Sequence, residues 1–115
     1  MCSSDLDHPS TLTSVSNLGA LLKDQGKLAE AEQFCRRALE GRERTLGRDH
    51  PNTLTSVNNL GMLLQAQGKL AEAEQFVRRA LERRERTLGV EHPDTRGTAE
   101  NLRLLLAERR STRRK

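Results

Sequence analysis

The feature that most constrains this chain is a duplication. His8 to Asp49 and His50 to Glu91 are identical at 33 of 42 positions, and a third copy opens at His92 as "HPDTRGTAENLR". A period of this length makes each copy one supersecondary unit. Such units stack because none can bury its apolar face alone. Composition points the same way, since a hydrophobic fraction of 34% and a mean hydropathy of -0.75 are lean for a deep core. A thin, elongated structure is expected rather than a sphere.

Each copy contains two helical patterns. In the second, Leu54, Val57, Leu60, Gly61 and Leu64 recur at three- and four-residue spacing; after "QAQGK", so do Leu70, Ala73, Phe76, Val77, Ala80, Leu81 and Leu88. The unit is therefore a helix, a tight turn and a longer helix. Five helices are predicted, near residues 9–24, 28–46, 51–66, 70–88 and 93–110. Pro51 suits a first helical position, while Gly68 and Gly89 suit left-handed helix ends. Gly61 and Ala73 are small enough for two helices to approach closely, and Leu64, Phe76 and Val77 are expected in the core. Glu74 with Arg78, and Glu82 with Arg86, are i,i+4 pairs, so the charge run reads as a solvated helix face.

Several function classes lose support. Aromatic residues make up 2% of the chain, with no Trp or Tyr, so there is no stacking platform for single-stranded nucleic acid. The net charge of +4 is local: five positive charges fall in the last seven residues, leaving the body at −1. Cys2 and Cys35 have no metal-ligand spacing and read as free thiols in a reducing compartment, with Cys35 a small core residue. No signal segment or membrane-length apolar run is visible, and a cytoplasmic location is expected. His8, His50 and His92 share a phase but lie a repeat apart, so they read as helix-start residues rather than metal ligands. No catalytic constellation or phosphate-cradling loop emerges, so neither enzyme activity nor a cofactor is expected.

The stretch "VNNLGMLLQAQGKLAEAEQFVRRALERRERTLGVEHP", Val57 to Pro93, resembles the tetratricopeptide repeat; its period and its "RRAL…RE…LG.(D/E)HP" ending are similar to the kinesin light chain type. Leu60, Gly61, Leu64, Gly68, Ala73 and Ala80 stand at that motif's packing positions. The resemblance implies an all-α, right-handed α-α superhelix with two full helix pairs and a C-terminal cap helix. The expected organisation is a polar segment at 1–7, repeats at 8–49 and 50–91, a partial third repeat at 92–110 and a basic tail at 111–115. Arg103 and Arg110 replace the glycines of the earlier copies, which makes the last helix a solvating cap.

The resemblance also implies a function: a protein or peptide partner held as an extended segment in a concave groove, as in kinesin light chain cargo binding. Asn17, Asn59 and Asn101 match the family's ligand-binding asparagine. Thr13, Ser16 and Ala20 lie beside the first of these, and Thr55, Asn58, Met62 and Gln65 beside the second. A local side-chain bond or a solvated helix face is the competing reading for each asparagine. The alternative function is structural: a segment of a longer array that contacts other repeats, a partner or itself through its N-terminal edge. Leu12 and Leu21 are expected to be exposed there.

Overall fold

A computed structural model describes residues 8–113. Its five helices are α1 (Pro9–Asp24), α2 (Leu28–Leu46), α3 (Pro51–Ala66), α4 (Leu70–Leu88) and α5 (Pro93–Arg113). They form successive antiparallel pairs, each packed on the next, within a body of 52 × 34 × 18 Å. The fold is all-α and solenoid-like, and its smallest dimension is roughly two helix diameters.

Local chemistry sets the helix limits. Each odd-numbered helix starts at a proline whose missing N–H costs nothing there. The preceding histidine caps it: Nδ1 of His8, His50 and His92 accepts from the N–H of Ser10, Asn52 and Asp94, each at 3.1 Å. Gly26 and Gly68, both at φ +83°, make the turns inside the first two pairs. The third copy carries Arg110 at that position, and with no glycine to break it α5 runs on to Arg113, into the expected basic tail.

The core runs along the stack rather than filling one centre. Val57, Leu60, Leu64, Ala73, Val77, Ala80 and Leu105 are fully buried, joined by Leu39 and Leu102. Close approach depends on Gly61: a Cβ there would lie 2.7 Å from Val77 Cγ2. Phe76, expected in the core, is only half-buried. It packs at the core's border, with the Arg36 guanidinium 5.8 Å from its ring centroid.

The first helices carry two stripes with different partners. One comprises Thr11, Ser14, Leu18 and Leu21, repeated as Thr53, Ser56, Leu60 and Leu63 and again as Thr95, Thr98, Leu102 and Leu105. It is buried in the second and third copies, where a helix pair precedes it. The other stripe contains Leu12, and this corrects an expectation: Leu12 is 2% exposed, so it is no edge contact. Its equivalents explain why. Leu54 is also buried, whereas Arg96 is exposed in the third copy, which has no second helix among the described residues, so this position faces its own pair. Leu21 does stand exposed, at 53%.

Candidate functional site

Two kinds of site emerge: junctions between repeats, and a face lined by the first helices.

At each junction a buried arginine crosses from one repeat to the next. Arg42 Nη1 donates to Ser56 Oγ at 2.8 Å, and Arg84 Nη1 donates to Thr98 Oγ1 at 2.7 Å. Thr53 and Thr95 donate in return to the carbonyls of Arg42 and Arg84, each at 3.3 Å. Both arginines are buried, and burial pulls the Arg42 pKa down, opposing its charge. The sequence reading took the charge run of the second helices as a solvated face and singled out neither arginine. Helical phase was a usable signal, since Arg42 lies three residues after core Leu39 and Arg84 four residues after core Ala80.

A second latch joins the turn of one repeat to the acidic second helix of the repeat before. Glu32 accepts from Gln67 Nε2 at 2.8 Å, Lys69 Nζ at 3.1 Å and Arg36 Nε at 2.8 Å. The Gln67 bond is foremost in holding its carboxyl down at about 2; partial desolvation opposes this, and Arg36 and Lys69 reinforce it. Glu74 repeats the arrangement with Arg78 and Arg109, which lower its pKa in that order. On the outer side, Arg36 pairs with Glu72 at 2.7 Å and Arg79 with Glu43, bridging α2 and α4. Glu74 and Arg78 pair at 2.7 Å as expected, and Arg86 and Glu82 at 3.8 Å.

Short side chains suffice on the opposite face. Asn101 Nδ2 donates to Asn58 Oδ1 at 3.4 Å between α5 and α3, and Gln65 Nε2 donates to Glu108 Oε1 at 2.8 Å. Both bonds join α3 to α5 in the layer of first helices. Between α1 and α3 this layer holds a cavity of about 200 Å³ lined by Ser16, Gly19, Ala20, Lys23, Cys35, Asn59 and Met62, among others. Ser16, Ala20, Asn59 and Met62 were read from the sequence as groove residues; Lys23 and Cys35 were not. Burial pushes the Cys35 thiol pKa up, which keeps it neutral.

The remaining sequence candidates are spread along the same helices. Thr13, Asn17 and Thr55 are exposed, while Asn58, Gln65 and Asn101 are half-buried. Thr55 Oγ1 accepts from Arg84 Nη2 at 3.2 Å and so is tied to the junction. Gln65 Oε1 is buried without a hydrogen-bond partner among the described residues. Among those residues no group of three or more His, Cys, Asp or Glu could hold a metal ion, and no helix is long and apolar enough to cross a membrane.

A stack of helix pairs joined at a 42-residue period defines a helical repeat protein. The tetratricopeptide repeat family profile matches residues 10–86 and 55–109, and the chain belongs to that family. No curated protein matches it significantly. Among solved structures it is similar to a Podospora anserina protein described as a putative kinesin light chain with nearly identical TPR-like repeats: TM-score 0.81, 27% identity, 86% of this chain and 47% of that one. A single-substitution variant of the same protein gives TM-score 0.81 and 26% identity over 86% and 47%. BtubC (BKLC) of P. vanneervenii, at TM-score 0.80 and 24% identity over 86% and 39%, shares the fold. The chain thus spans about half, or less, of these proteins' length.

Proposed function

We propose that this chain is a non-catalytic interaction module that binds an extended peptide or adaptor segment along the face of α1, α3 and α5, as kinesin light chain-type repeats bind cargo. The observation that carries this reading is the α1–α3 cavity. It joins the small or apolar residues Gly19, Ala20 and Met62 to the polar groups of Ser16 and Asn59, and Asn59 stands at the position that matches the family's ligand-binding asparagine. That combination suits a small ligand side chain, with the asparagine amide holding the ligand main chain in both directions. The second junction is partly closed by its Asn58–Asn101 and Gln65–Glu108 bonds, so the first is the favoured seat.

Selection from a displayed peptide library, followed by titration of the chosen peptides, tests this. Asn59→Ala and Met62→Glu should each weaken binding, while reversing Glu72 and Arg36 on the outer face should not. Affinity unaffected by the first pair and lost with the second would place the contact on the opposite side.

A further inference from the structure

The stripe Thr11, Ser14, Leu18 and Leu21 is the same surface that each later first helix uses to receive the preceding repeat. Leu60 and Leu63 are 0% and 1% exposed, and Leu102 and Leu105 are 8% and 0%. Leu18 and Leu21, their equivalents, are 40% and 53% exposed. Ser14 is exposed where Ser56 and Thr98 accept an arginine. Gln25 and Lys27 stand at the positions from which Gln67 and Lys69 hold Glu32. Through Ser14, Leu18, Leu21, Gln25 and Lys27 the edge thus repeats the receiving side of the first junction.

The donor half can be read from α2 and α4. In α2, Glu32 meets the next turn, Cys35 and Leu39 pack on the core, and Arg42 reaches the serine; in α4, Glu74, Val77, Leu81 and Arg84 hold those places. We infer that the N-terminal edge docks a helix of a separate repeat protein carrying the pattern Glu-x2-(Cys/Val)-x3-Leu-x2-Arg. Its acid would face Lys27 and Gln25, its apolar pair Leu18 and Leu21, and its arginine Ser14. A second copy of this chain is a poor donor, because both of its helices with the pattern are already bonded through Arg42 and Arg84. The C-terminal side is a poor receiver, because Arg103 stands where Gly61 admits Val77 at a distance that leaves no room even for a Cβ.

The test uses the full chain and a fluorescent peptide with the sequence of residues 28–46, held helical by a lactam across the exposed positions 40 and 44. The peptide should bind saturably. Leu18→Glu with Leu21→Glu in the chain, which changes only exposed side chains, should weaken it about tenfold or more while circular dichroism stays unchanged. Alanine at the peptide's Arg42 position should weaken it by about tenfold, and Asn59→Ala in the chain should not, which separates this docking from the groove reading. No saturable binding overturns the inference. So does binding that survives the double substitution but is lost in Leu106→Glu, which would seat the peptide at the other end. Sedimentation showing a dimer of the chain that the same double substitution dissolves would assign the stripe to a second copy and equally overturn it.

Discussion

Arg42 on α2 donates to Ser56 on α3 across 2.8 Å, and 42 residues later Arg84 donates to Thr98 across 2.7 Å. The same buried bond therefore closes both joints of the stack. Each guanidinium meets hydroxyl and carbonyl oxygens there, and these hydrogen bonds offset the desolvation of the charge.

Ser56→Ala should therefore cost about 1.5–3 kcal/mol, the range for a hydrogen bond to a charged group, and Arg42→Ala more, since it also removes packing. A double-mutant cycle by urea unfolding should show coupling between the two, with the double variant less damaged than the sum. Additive losses would show that the bond contributes nothing beyond its separate side chains. Arg42→Lys should rescue only in part, because both bonds leave from the one Nη1 and a lysine ammonium ends one atom short of it along the side chain.

Leu21 and Leu63 are the same residue at the same place in two repeats, yet one is 53% exposed and the other 1%. Leu63→Ala should cost about 2–5 kcal/mol by leaving a cavity, whereas Leu21→Ala should stay within about 0.5 kcal/mol as a surface change. Equal unfolding midpoints for the two variants would mean that the preceding pair does not cover Leu63 in solution.

Gly61→Ala should destabilise by about 1–3 kcal/mol through overpacking, since the new Cβ would sit 2.7 Å from Val77 Cγ2. Gly19→Ala meets the Cys35 Sγ at 3.0 Å and should cost less. Adding Val77→Ala to Gly61→Ala should lose less than Val77→Ala loses in the parent, because the clash is gone. A full additive loss would place the crossing point elsewhere.

Glu32 links the joint to pH. Its carboxyl is held down at about 2 in the folded chain, against 4.5 for the free group, so the folded state binds the proton less readily than the unfolded one. The stabilisation is present above about pH 4.5 and is lost as pH falls toward 2. Urea titrations at a series of pH values should show the difference between the parent and Glu32→Gln shrinking through that window. A difference independent of pH would mean that the Gln67 and Lys69 contacts are not made in solution.

The sequence alone determined the repeat, the all-helical class and the limits of the first four helices, because each rests on local chemistry: a proline at the first turn, a histidine cap, a glycine in the turn and an apolar residue every third or fourth place. It also carried the opposite characters of Leu21 and Arg103. What it could not decide was which neighbour each face of a first helix meets, since both stripes show the same spacing. Only the packing of one pair on the next buries Leu12 within its own pair, leaves Leu21 bare, brings Phe76 to the core's border under Arg36 and draws Arg42 and Arg84 out of water. A charged residue beside an apolar one reads as a solvated flank until a hydroxyl from a helix 14 residues away arrives to receive it. That arrival depends on stacking, which no single repeat contains.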